Sequence, residues 1–203
     1  MQFRLIYQGP LASQQSSGGC LEQKHAIRRV FHDQLRTLWN EHASFRYMRP
    51  RTWDAESQDF VLRLPGPSVV YRHRLGHDVG FVPLIGKHRG LSCSLDVVFL
   101  RRDSPGGFIQ HGGDVDNRLK VLFDALRMPS QDELLDEPPP IDENPMFVVM
   151  EDDKFIDAVN VTTDRLLVPQ GPGEHKHNVI LIIRIETIVF DISRAPLASI
   201  EVR

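Results

Sequence analysis

The chain reads as an α+β protein, with a mixed, mainly antiparallel sheet and helices packed on one face. Three observations predict this. Apolar residues recur at helical spacing around Ile27–Trp39 and again over Leu119–Leu126. Strand-like runs, alternating or continuously apolar, occupy much of the remaining length. These strands are grouped before and after a helix rather than strictly alternating with helices.

Phe3–Tyr7 forms the first predicted strand, followed by a Gly/Pro/Ser-rich flexible loop over residues 9–23. Ile27, Phe31, Leu35, Leu38 and Trp39 predict a helix from about Lys24 to His42. Its other face carries Arg28, Arg29 and Arg36, a solvated face or a nucleic-acid contact. Short strands follow near Phe60–Leu64 and Val79–Ile85, separated by Pro65-Gly66-Pro67. Around the second lie Arg72-His73-Arg74, His77 and Lys87-His88-Arg89. Arg72, Arg74, Lys87 and Arg89 are the candidates for tracking a phosphate backbone, although a polar loop explains them equally well. Ser92–Arg101 is a strand, with Asp96 facing the surface. Met146–Met150 and the alternating Asp157–Thr162 are two more. Asn178–Ile188 ends the series, its Val-Ile-Leu-Ile-Ile run pointing to a central, well-covered position. His175 and His177 read as loop.

At 203 residues and 41% hydrophobic content, the chain can bury one sizeable core as a single elaborated domain over 1–203. Cys20 and Cys93 fit no metal spacing or disulfide framework, which predicts a reducing, cytoplasmic setting. No secretory signal is visible and the longest apolar runs are too short to span a bilayer, so no membrane role is expected. Residues 1–113 hold 15 Lys and Arg against 9 Asp and Glu, whereas residues 114–203 hold 9 against 18. A basic half beside an acidic half suits a metal site that also holds a polyanion.

The chemistry concentrates in Gly112-Gly113-Asp114-Val115-Asp116-Asn117-Arg118-Leu119-Lys120. Side chains at i and i+2 converge in an extended segment and diverge on a helix, so Asp114 and Asp116 are expected in an extended lead-in. Gly112 and Gly113 permit it, and Asp116 or Asn117 can cap the helix that follows. Two converging carboxylates make half of a hard-cation site; capping alone is the bland reading. An EF-hand is excluded, because Arg118 stands where a ligand belongs and the loop glycine is missing. A second acidic cluster, Glu151-Asp152-Asp153, falls at or just after the end of the Met146–Met150 strand, with Glu151 read as solvated. Between the helix and this cluster runs an acidic stretch with three prolines, near residues 131–144, expected to be a functional or disordered loop that cannot build a core and repels DNA.

On these two segments the chain resembles the RusA-like Holliday-junction resolvases. Asp114, Asp116, Asn117 and Lys120 match that family's Asp-x-Asp-Asn-x-x-Lys helix opening, and Phe123-Asp124-Ala125-Leu126 continues it. Asp152-Asp153, followed by Ile156 and Val159, matches the Asp-Asp pair ahead of a strand. The likeness covers about residues 91–190 and is loose before them. It implies a RusA-like nuclease domain and a Mg²⁺ site, where Mn²⁺ can substitute, formed by Asp114, Asp116 and Asp153, with Asp152 the lesser partner. It further implies Lys120 as a catalytic cation near the phosphate, Asn117 and Arg118 as substrate contacts, and a homodimer that resolves branched DNA by hydrolysis. The longer chain, its net charge of −3 and the acidic stretch depart from the family and bear on the choice of substrate. A same-fold nuclease for another DNA or RNA structure, and a silent binding protein whose acids only cap and pair, are the rival readings.

Overall fold

The computed structural model describes residues 1–11, 19–41, 52–54, 59–61, 69–102, 112–168 and 178–191, with side chains described except at 19–20, 52–54, 59–61 and 112–115. Along the chain come β1 (Gln2–Pro10), α1 (Gly19–Glu41), β2 (Thr52–Asp54), β3 (Asp59–Val61), β4 (Val70–Arg74), β5 (His77–Ile85), β6 (Leu91–Arg101), α2 (Gly112–Leu126), β7 (Met146–Met150), β8 (Ile156–Arg165) and β9 (Asn178–Val189). His175, His177 and the C-terminal residues Ile192, Leu197 and Ile200 lie outside the described residues.

The architecture is α+β and mainly antiparallel, but the strands divide between a four-stranded sheet, β1-β9-β6-β8, and a three-stranded sheet, β4-β5-β7. β2 and β3 form a separate antiparallel pair. Among the described strands only β6–β8 and β5–β7 run parallel. β9 holds the interior position its apolar run predicts: Val179, Leu181, Ile183 and Ile185 are buried on its core face. In β1, Phe3, Leu5 and Tyr7 point inward and alternate with exposed Arg4 and Ile6. The basic segment Arg72-His73-Arg74 is strand rather than loop, paired with β5 across a turn at Leu75-Gly76 whose φ values, 45° and 86°, are both left-handed.

α1 starts earlier than its apolar spacing suggests and buries two stripes. Ile27, Phe31 and Leu35 enter the main core, as expected. Beside them Lys24, His25, Arg28 and His32 are buried as well. This corrects the expectation of a solvated face at Arg28, whereas Arg29 and Arg36 do stay exposed, at 49% and 43%. Arg28 is 1% exposed; its Nη2 donates to the Asp124 carbonyl at 2.6 Å and its Nε to that of Arg127 at 3.3 Å. These carbonyls close the C-terminal end of α2, where backbone acceptors lack helical partners. Arg29 pairs with Glu143 at 2.9 Å and Arg36 with Asp33 at 2.8 Å.

The acidic stretch is likewise corrected. Residues 131–143 contain two 3-10 turns, and Leu134 is 2% exposed in a second core with Val79, Phe81, Met128, Met146 and Val148. The segment lies as a strap across α1 and the smaller sheet. Glu133 takes Arg127 through both oxygens, at 2.8 and 2.9 Å, and its carbonyl meets His25 Nε2 at 2.8 Å. Asp136 holds Arg74 at 2.8 Å. Glu133, Asp136 and Glu143 each meet a cation, so a charged segment can sit on the fold instead of floating from it.

Leu134→Ala should destabilise the protein by about 2–4 kcal/mol, the range for emptying a buried leucine site. Urea denaturation should show a lower midpoint at unchanged slope. An unchanged midpoint would mean that the strap is not part of the cooperative unit.

Candidate functional site

The helix α2 begins at Gly112, so positions 114 and 116 both lie within it. The extended lead-in expected from the two glycines is absent. Positions two apart on an α-helix are rotated by about 200°, so the backbone directs these two away from each other. The side chain of Asp114 lies outside the described set. Asp116 is exposed and pairs with Lys120 one turn on, at 3.1 Å, the side chains being 66% and 56% exposed. Asn117 is half-buried. Arg118, expected to touch substrate, is instead 3% exposed, on the side of α2 that carries Val121, Leu122 and Ala125 into the core. A side chain so buried is not the surface contact expected of it.

The second acidic segment follows β7, as expected. Asp152 precedes a 3-10 turn, Asp153–Phe155, and accepts the Lys154 N–H at 3.0 Å and its ammonium at 3.3 Å. The Lys154 backbone donor holds the Asp152 carboxyl below its ordinary range. Asp153 is exposed. Phe155 anchors the turn in the main core, and α2 packs against it, so the two acid-bearing segments are neighbours. Glu151 is not simply solvated: it accepts the Lys87 N–H at 3.3 Å and lies 3.7 Å from His88. Gly86 leaves room for it, since a Cβ there would meet Oε2 at 2.6 Å.

The basic candidates separate. Lys87 is exposed on the loop that Glu151 holds, which brings it to the acidic turn. Arg72 is half-buried on β4, and Arg74 is tied to Asp136. Arg89 is 8% exposed, donates to the Pro83 carbonyl at 3.2 Å and lies 4.8 Å over the Trp39 ring, a structural cation rather than a DNA contact. Among the described residues no three His, Cys, Asp or Glu side chains converge. The donors at hand, exposed Asp116 and Asp153 with Asp152 beside them, are hard oxygen ligands reachable from solvent, of the kind Mg²⁺ takes.

Sequence reasoning missed Lys24, His25 and His32, although 24, 25, 28 and 32 already trace a polar stripe at helical spacing. Lys24 reaches Asp124 at 2.6 Å, so that carboxylate is occupied. Phe147 N donates to His32 Nδ1 at 2.9 Å, so Nε2 carries the proton and donates to the Asp142 carbonyl at 3.1 Å. Compared with protein-family models, curated proteins and solved structures, the chain matches none. No helix among the described residues is long and apolar enough to cross a membrane.

Burial lowers His25 from 6.5 to about 4, with Arg28 pressing the same way, and burial lowers His32 too. Below pH 6.5 the unfolded chain takes up protons that the folded chain refuses, so stability falls as pH drops towards 4. Each such group contributes at most about 1.4 kcal/mol per pH unit. Although burial works to raise it, bonds from Arg127 and Ser130 hold Glu133 at about 2, so its contribution is lost from about 4.5 downward. Thermal melts should show a midpoint falling between pH 7 and 4, and a shallower fall for His25→Gln. A flat profile would contradict the burial of these imidazoles.

Proposed function

We propose that the chain is a metal-dependent endonuclease that cuts branched DNA, four-way junctions foremost, in the manner of the RusA-like resolvases it resembles. The observation that carries this reading is the packing of α2, bearing Asp114, Asp116, Asn117 and Lys120, against the turn bearing Asp153. The two halves of one sequence motif, separated by the whole strap, are neighbours in the fold. Asp114, Asp116 and Asp153, with Asp152 in support, would hold Mg²⁺ or Mn²⁺. A bound ion there supplies Lewis acidity and a water of lowered pKa. Because helical positions 114 and 116 diverge, both serve one ion only if the first turn of α2 unwinds. Lys120 leaves Asp116 to meet charge on the scissile phosphate, Asn117 orients a ligand or water, and Lys87 and Arg72 hold the DNA backbone, with Arg74 joining once freed from Asp136. A homodimer supplies two such sites for paired cuts. We place the protein in the cytoplasm, where Cys93, free, buried and with its thiol pushed up to about 12, stays reduced.

One observation favours a second reading, a structure-specific binding protein without activity. Asp116 engaged by Lys120 and Asp152 capping Lys154 are what acids do when they only pair and cap. A labelled four-way junction incubated with Mg²⁺ or with chelator, beside linear duplex, flap and RNA controls, separates the two.

Asp114→Asn, Asp116→Asn and Asp153→Asn should each slow cleavage by about 10³-fold or more, since the charge that binds the ion is worth several kcal/mol in the transition state. Junction binding should persist in gel-shift assays. Near-normal cleavage by the Asp116 variant would overturn the metal assignment, and no cleavage of any substrate with either ion would favour the silent reading.

A further inference from the structure

The two faces of the four-stranded sheet differ. Odd-numbered residues of β1, β6 and β9 join α1 and α2 in the main core, so the even-numbered ones point the opposite way. The strand registers set out this outer face in rows across β1, β9, β6 and β8. One row is charged: Arg4, Arg184, Asp96 and Asn160. The next is largely apolar: Ile6, Ile182, Val98 and Thr162. In the row after it Ile180 and Leu100 lie between Gln8 and Asp164. The Asn160 amide donates to Asp96 Oδ1 at 3.1 Å, which holds both on this face. Ile6 is 55% exposed, and Ile182, Val98, Ile180 and Leu100, at the middle of the sheet, are half-buried. An apolar patch rimmed by polar groups marks an interaction surface.

We propose that this face packs against the same face of a second copy, about a twofold axis that runs along the strands between β9 and β6. Such an axis reverses the strand order and keeps each row over itself. β9 then lies over β6 of the second copy, with Ile182 over Val98, Ile180 over Leu100 and Arg184 over Asp96, twice in each case. At the sheet margins Arg4 meets Asn160, Ile6 meets Thr162 and Gln8 meets Asp164. Apolar centres meet apolar centres, and no charge in these rows faces its like. The other twofold arrangement that lays the apolar rows on each other runs across the strands. It sets Arg184 over Asn178 and turns Asp96 to Arg102, whose Nη1 already donates to the Val168 carbonyl at 2.5 Å. Within the chain Arg184 reaches Gln2 at 3.1 Å and Glu186 at 3.7 Å, and Asp96 takes the neutral Asn160 amide. Asp96 therefore has room for a cation from the second copy.

The size and charge of the face fit that occupant. Its strands are 9 to 12 residues long. At about 3.3 Å per residue and about 4.8 Å between strands, the face measures about 500 Å². Two such faces bury about 1,000 Å² in total, the size a specific interface needs. Stacked sheets keep their strands within about 30° of each other, as an axis close to the strand direction allows. A phosphate backbone is the poorer occupant, because Asp96, Asp164 and Glu186 outnumber Arg4 and Arg184 on the face. The contact closes as a C₂ pair and leaves α2, on the other side of the sheet, out of it. This names the surface of the dimer proposed above, yet it stands whether or not the chain cleaves DNA.

Sedimentation velocity on the full chain at micromolar concentration tests it, with circular dichroism and melting showing that each variant is folded. The wild-type protein should be a dimer. Ile182→Lys sets an ammonium against Val98 of the second copy and should leave a folded monomer. Arg184→Asp sets a carboxylate over Asp96 of the second copy twice and should weaken the dimer by about tenfold or more. Adding Asp96→Arg should restore it. A wild-type monomer overturns the proposal, whatever else covers the face. So does a folded Ile182→Lys or Arg184→Asp variant as dimeric as the wild type. A folded double variant that fails to recover also overturns it, because the arrangement across the strands would set its new arginine against Arg102. A dimer that responds to these variants but cuts no junction upholds the surface and sinks only the nuclease reading, and a monomer that cuts junctions does the reverse.

Discussion

Arg28 sits in the interior with 1% of its surface exposed, and an ionised group so placed must be met by acceptors or cost several kcal/mol. Its acceptors are the backbone carbonyls of Asp124 and Arg127, at the C-terminal end of α2, where the helix dipole presents its negative pole. Burial lowers the guanidinium to about 10, which leaves it protonated at neutral pH. One side chain of α1 thereby fixes where α2 ends, and other contacts follow from that placement. Lys24 and Arg127 converge on Asp124, and both also reach Glu133, which begins the strap.

That network accounts for the distribution of acids around the candidate site. Asp124, Glu133, Asp136 and Glu143 are bound to cations within the fold. Glu151 is engaged by the loop at Lys87. Asp116 and Asp152 pair with the local lysines Lys120 and Lys154 rather than with buried arginines, and Asp153 beside them is exposed. The acidic half of the chain therefore does not present a uniform negative surface, since Asp124, Glu133, Asp136 and Glu143 pair with cations of the basic half. The opposed halves read from the sequence reflect internal pairing at least as much as any polyanion site.

The same economy governs the sheet edges. Gln34 and His32, both on α1, each place a side-chain partner on an otherwise open strand, one on each sheet. A helix lying between two sheets can cover an edge of both. β8 lies on the far side of β6 and β9 from α1, beyond the reach of that helix.

Several elements and their faces are legible in local sequence patterns. Period-two alternation placed β1, the continuous run placed β9 in the interior, and the spacing of Leu119, Leu122, Phe123 and Leu126 identified the core side of α2, because backbone geometry dictates these periodicities locally. The sequence also singled out the two acidic segments that the fold sets side by side. Where the charged residues go depends on contacts between elements. Arg28 is buried, and the strap is docked, through partners distant in sequence that no local pattern specifies. The tertiary structure also decided that α2 begins at Gly112: the two glycines permit either an extended or a helical start, and the structure takes the helix.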